Sequence, residues 1–276
     1  MHSRTFCRFR RPLAGRSWTS LRPTAPRVVR VLILLPPSEG KTSRRRGTPM
    51  RLDRLSTPEL TPARSAVIAA LAEASARPDA AELLGVGASL ADEVAANRAL
   101  ETAPALRADD LYTGVLFEAL ALSGLDEASR RRAQRQVRVF SALHGVLALS
   151  DRVSPYRLAA GVSLPGLGPV TGFWREHLRV LDEQWAGDLL VDCRSTTYRA
   201  MWRPRDRSRW VCVEVPGASH SAKHTRGLVA RALVQHQGRL SRPAQLVEAL
   251  APFDPELSGG ETGWTLKVRA VATQTG

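Results

Sequence analysis

Four stretches of this chain carry residues able to hold an anion. The first is Leu83-Leu84-Gly85-Val86-Gly87-Ala88-Ser89-Leu90-Ala91, an apolar-x-Gly-apolar-Gly-x-x-x-Ala pattern. Its spacing predicts a helix arriving from about residue 79, a turn at Gly85-Val86-Gly87, and a second helix leaving through Ala91, Val94 and Leu100. Glycines admit positive φ and let another molecule come close. Amides at the start of the second helix, with Ser89 among them, then face outward at its positive dipole end and form a seat for a phosphate. Such a helix-hairpin-helix holds a nucleic-acid backbone without reading sequence, because phosphate contacts position and base contacts specify. An ordinary helical corner uses glycines in the same way, so the pattern admits both readings.

The second stretch, Pro36-Pro37-Ser38-Glu39-Gly40-Lys41-Thr42, follows a strongly apolar run. Ser38, Lys41 and Thr42 could hold one phosphate where a strand ends, or the prolines could simply stiffen a turn. Gly-Lys-Thr suggests a nucleotide-binding P-loop, but that loop needs a glycine at position 35, which is Leu35. In the third, Tyr156-Arg157, the guanidinium suits a phosphate and the ring could stack on a base; a core tyrosine beside a structural ion pair fits equally. The fourth, Lys223, Arg226 and Arg231, shares one face of an expected helix. Gly227 within it costs about 1 kcal/mol relative to alanine, which is justified where a backbone or a ligand approaches closely.

Enzyme chemistry has fewer anchors. Lys41 or Lys223, if made nucleophilic by burial, could attack a sugar aldehyde as a Schiff base. Asp192, after Leu189-Leu190-Val191, could serve as a base or merely shape a turn. Gly-x-Ser-x-Gly is absent. The six histidines form no HExxH, and the i, i+4 pair His220 and His224 lacks a third ligand, so no metal site and no cofactor are expected. Cys7, Cys193 and Cys212 are scattered, which suggests neither disulfides nor zinc and suits a reducing cytoplasm.

The 276 residues suffice for one large domain with a substantial core. No apolar run approaches the roughly 18 residues of a membrane span. The net charge is +14, and residues 1–30 hold eight arginines and no acid, leaving +6 on the rest. Residues 1–28 therefore read either as a basic arm that adds phosphate affinity or as a disordered extension outside a folded domain of residues 29–276. Only three of the 40 basic residues are lysines, a compositional bias that weakens arguments from arginine count alone.

These residues need a scaffold, and the hydropathy pattern supplies one. A near-continuous apolar run predicts a buried strand over 28–35, and further strands are expected over 137–143, 189–193, 210–215 (alternating) and 264–268, interspersed with helices over 62–76, 126–139, 173–185 and 221–237. Gly145 and Asp151 bracket an expected loop. Because strands and helices do not alternate strictly, the fold class expected is α/β (α+β): a single domain with a mixed β-sheet flanked by helices and a helix-hairpin-helix element.

The ordered set of motifs resembles the YaaA family of bacterial peroxide-stress proteins. It comprises a strand followed by Pro-Pro-Ser-Glu-Gly-Lys-Thr, then Asp110-Leu111-Tyr112-Thr113-Gly114, and Phe140-Ser141-Ala142-Leu143-His144-Gly145-Val146-Leu147. It continues with Pro155-Tyr156-Arg157-Leu158 and Gly161, Phe173-Trp174, and Lys223, Arg226-Gly227 and Arg231, covering roughly residues 29–270. The resemblance implies a cytoplasmic protein that limits hydrogen peroxide damage and is linked to lower free intracellular iron. It also implies a DNA-binding protein of unusual fold with a positively charged cleft and a helix-hairpin-helix, which would fall at residues 83–94. Gly85, Val86, Gly87 and Ser89 would then meet DNA without sequence preference, with Lys41, Arg157, Lys223, Arg226 and Arg231 lining the cleft. The alternative is an enzyme acting on DNA or a phosphorylated small molecule through Lys41, Lys223 and Asp192. Direct iron sequestration lacks a ligand cluster.

Overall fold

The computed structural model describes residues 29–217 and 219–271, so the basic stretch 1–28 lies outside the described residues. Val31–Leu35 (β1), buried along its whole length, lies inside a seven-stranded sheet. The other strands are Val137–Ser141 (β2), Gly145–Ala148 (β3), Leu189–Asp192 (β4), Trp210–Glu214 (β5), Glu256–Gly260 (β6) and Gly263–Lys267 (β7). Their order is β6-β7-β5-β4-β1-β2-β3. β1 is parallel to both of its neighbours, β4 to β5, and β5 to β7. Antiparallel pairings β2–β3 and β6–β7 finish the two edges. The sheet is mixed, and the central parallel strands β1 and β4 are buried along their whole length, as apolar strands are when both faces are covered.

The two edge strands are the ones the hydropathy pattern misses. Residues 145–148 read as a loop, yet they pair with β2 from Arg138↔Ala148 to Ser141↔Gly145. Glu256–Gly260 contains two glycines and no buried residue, and becomes a strand only through its ladder with β7.

Seven helices matter for the site: Thr61–Ser75 (α1), Ala80–Leu83 (α2), Ala91–Ala96 (α3), Val115–Leu120 (α4), Glu127–Gln136 (α5), Val170–His177 (α6) and Ser219–Gln235 (α7). The helix expected over 173–185 is broken at Leu178 and Arg179, with Val180–Gln184 forming a second short helix. Its apolar stripe of Trp174, Leu178, Leu181 and Trp185 is nonetheless buried. α7 packs on α4 so closely that a Cβ at Gly227 would lie 2.2 Å from Leu116 O and 2.7 Å from the Ala119 Cβ. The glycine therefore serves the approach of another backbone.

A polar knot ties α1 to the β2–β3 hairpin. Arg64 is fully buried and donates to the carbonyls of Ser56, Thr57, His144 and Val146. Asp151 accepts from the Ser56 amide and hydroxyl and from the Ala148 amide. Every polar group in this knot exchanges water for a protein partner, which keeps its burial inexpensive.

Candidate functional site

The chain leaves β1 and returns as β2 on one side, then later as β4 on the other. In α/β sheets such a topological switch marks the carboxyl ends of the parallel strands as the place where a ligand crevice forms. The loop after β1 does not run free there. Thr42 N donates to Leu111 O at 2.9 Å, Thr113 N donates to Gly40 O at 3.3 Å, and Lys41 and Tyr112 face each other as antiparallel bridge partners. Ser38 Oγ accepts from the Thr113 amide and donates to Gly40 O, closing the loop on itself. Ser38 and Thr42 thus act through their backbone and side-chain pairing to fix where Lys41 sits.

Lys41 is mostly enclosed. Its Nζ donates to Ser38 O at 2.9 Å and Glu39 O at 3.3 Å, and lies 4.4 Å from the Tyr156 ring centroid and 5.9 Å from that of Tyr112. Burial and then the neighbouring Arg157 charge push its pKa down to about 8, with Glu93 and Glu39 partly opposing them. Beneath it runs a chain of buried hydroxyls: Tyr112 Oη to Tyr156 Oη at 3.1 Å, and Tyr156 Oη to Ser141 Oγ at 2.8 Å. Burial raises the pKa of both phenols, so both remain protonated.

Arg157 is held by its backbone. Asn97, itself fully buried, accepts from Arg157 N at 2.8 Å and donates to Arg157 O at 3.0 Å. The guanidinium reaches Glu93 and Glu39 O only at 3.5 Å each, a loose hold that leaves most of its donors unspent. His144, behind Tyr156 in an edge-on contact, is fully buried, and neither ring nitrogen has a partner among the described residues. Burial, with Arg64 nearby, pushes it down to about 3, which keeps the ring neutral.

The other residues singled out in the sequence fall in different places. Gly85 takes φ +65°, whereas Gly87 is extended at φ −71°, so only one of the two glycines needs its conformational freedom. Gly85, Gly87 and Ser89 are exposed and Val86 is half-buried, between a four-residue α2 and a 3-10 turn that leads into six-residue α3. Residues 79–93 carry Asp79, Glu82, Asp92 and Glu93 and no basic residue, a charge that opposes a phosphate. Lys223 is exposed on α7, and Arg226 Nε is buried without an acceptor among the described residues. Arg231 spends its guanidinium on Leu120 O, Ala121 O and Gly124 O at the end of α4. Asp192 is fully buried, gripped by both arms of Arg194 at 2.9 and 2.7 Å and by Trp210 Nε1 at 3.0 Å. A carboxylate so occupied holds structure rather than abstracting protons.

The sequence reading missed Ser141, Tyr112 and Asn97 as members of the site. Two of them lie inside quoted motifs, but nothing in the spacing says that positions 41, 112, 141 and 156 converge. Among the described residues, no three His, Cys, Asp or Glu side chains gather closely enough to hold a metal ion. No helix there is long and apolar enough to cross a membrane.

Comparison with known proteins agrees with this motif order. The family model described as Peroxide stress protein YaaA matches residues 31–252. The UPF0246 protein SCO2297 of Streptomyces coelicolor is 41% identical over 254 residues, covering 86% of this chain and 98% of that protein. The UPF0246 protein CE1889 of Corynebacterium efficiens is 36% identical over 212 residues, covering 74% and 84% of the two chains. A UPF0246 protein of Corynebacterium glutamicum strain R is 34% identical over 236 residues, covering 80% and 91%.

Proposed function

The chain belongs to the family of the peroxide stress protein YaaA, and on that premise we propose that it serves the peroxide response by binding DNA in the crevice at the carboxyl edge of its sheet. The observation that carries this reading is the enclosure of Lys41 beside Arg157 with no carboxylate among the described residues bonded to the ammonium. Two like charges taken from water are costly, and a bound anion offsets that cost. Arg226, with a buried Nε lacking an acceptor, and exposed Lys223 extend the positive charge along α7. The glycine turn at Gly85–Gly87 is open to a phosphate. Its four carboxylates oppose one, so the electrostatic attraction falls on Lys41, Arg157, Lys223 and Arg226. Binding through phosphates carries no sequence preference and shields the duplex it covers.

Four phosphate contacts predict a log–log salt slope of about −3.6, or roughly a 10²-fold loss of affinity from 50 to 200 mM salt. Fluorescence anisotropy with a labelled duplex measures it. Arg157→Ala should make the slope shallower by about 1. An affinity that hardly responds to salt removes the phosphate-cleft reading.

A further inference from the structure

Three hydroxyl protons and two hydroxyl–hydroxyl contacts do not balance in this crevice. Ser141 Oγ accepts from Leu143 N at 3.2 Å and His144 N at 3.0 Å, which fills both of its lone pairs. Its own proton therefore goes to Tyr156 Oη. One phenolic proton closes the contact between Tyr156 and Tyr112. The other phenolic proton is left for an acceptor that the described residues do not supply. A chain polarised in one direction, Ser141 to Tyr156 to Tyr112, places it on Tyr112, which is only 3% exposed.

Lys41 shows the complementary surplus. Two carbonyls, Ser38 O and Glu39 O, take two N–H donors, and a neutral amine satisfies both with its lone pair to spare. The chain uses arginine at all but three of its 40 basic positions. A lysine at the buried position beside Arg157 supplies what arginine cannot, an amine able to give up its proton. With its pKa near 8, roughly a tenth of it is neutral at pH 7.

We propose that Lys41 forms a Schiff base with an aldehyde borne by a phosphorylated sugar, with Tyr112 protonating the carbonyl oxygen and Arg157 holding the phosphate. The inference rests on the anion-binding crevice proposed above and names its substrate class. The Nζ lone pair attacks the carbonyl carbon, and the π pair moves to oxygen, which takes the Tyr112 proton. The nitrogen returns one proton to the phenolate, giving a neutral carbinolamine. The hydroxyl group, protonated through the same phenol and ultimately from solvent, leaves as water while the nitrogen lone pair completes C=N. In sum, ammonium and aldehyde become iminium and water. The Tyr156 ring, 4.4 Å from Nζ, stabilises the iminium as it does the ammonium. The aldehyde can come from a deoxyribose in DNA that has lost its base or from a free sugar phosphate.

Borohydride trapping distinguishes the two sources. The full chain is incubated at pH 8 with a duplex containing one base-less site, with 2-deoxyribose 5-phosphate, or with 2-deoxyribose, then reduced and analysed by intact mass and peptide mapping. A secondary amine on Lys41 is expected, absent from Lys41→Ala and Lys41→Arg, with the phosphorylated sugar trapped faster than the bare one. An adduct only on the duplex assigns the DNA source, and one only on the sugar phosphate assigns the small molecule. Tyr112→Phe should slow trapping about 10²-fold. No adduct on either phosphorylated probe, or an adduct that survives Lys41→Ala, overturns the inference. Trapping at full speed in Tyr112→Phe overturns the role of the phenol. Duplex affinity with normal salt dependence but no adduct rejects this inference alone; loss of salt-dependent affinity rejects the crevice reading beneath it.

Discussion

Gly227→Ala sets two known effects against each other inside one helix. Replacing a mid-helix glycine by alanine usually stabilises by about 1 kcal/mol, because the unfolded chain loses freedom. Here the new methyl group would sit 2.2 Å from Leu116 O, where ordinary contact begins near 3.4 Å, so α7 and α4 must part by about 1.2 Å. The obstacle is backbone and a second Cβ, neither of which can rotate away. Overpacking of this kind costs about 1–3 kcal/mol, and a clash with a main-chain atom belongs at the upper end. The net expectation is a loss of about 2 kcal/mol, equivalent to a fall in Tm of roughly 4–8 °C for a chain of this size. Because α4 follows Tyr112-Thr113-Gly114, the displacement should also weaken anion binding in the crevice. Urea unfolding followed by circular dichroism, with Cm compared at constant m, measures the first effect, and duplex binding measures the second. A variant as stable as the parent, or more so, would refute the backbone-contact account of this glycine.

Two further outcomes follow from buried charge. His144 has a folded pKa pushed down to about 3 from an ordinary 6.5, so protons bind the unfolded chain first. Its contribution to stability is full above pH 6.5 and is lost progressively as pH falls towards 3. His144→Leu should flatten that acid limb in a plot of Cm against pH, and an unchanged limb would show that other groups drive acid unfolding. Asp192→Asn leaves the fully buried Arg194 guanidinium without its counter-charge, which should cost about 3–5 kcal/mol. A Tm within 3 °C of the parent would contradict that.

Local pattern determined much of this protein. The five expected strands became the parallel part of the sheet, and burial along its whole length accounts for the apolar run Val31 through Leu35 at its centre. The motif order was enough to indicate the family. Tertiary structure decided what those motifs do. Gly227 read equally as room for a ligand or for a backbone until α4 was found against it. Asp192 read as either a base or a turn residue, and Arg194 and Trp210 were found around it. Tyr112, Ser141 and Tyr156 are far apart in the chain, and Asn97 lies 60 positions from Arg157. Hydropathy period and turn residues constrain neighbours a few positions apart. Hydrogen bonds between distant loops depend on strand order, and strand order is settled only when the whole sheet packs.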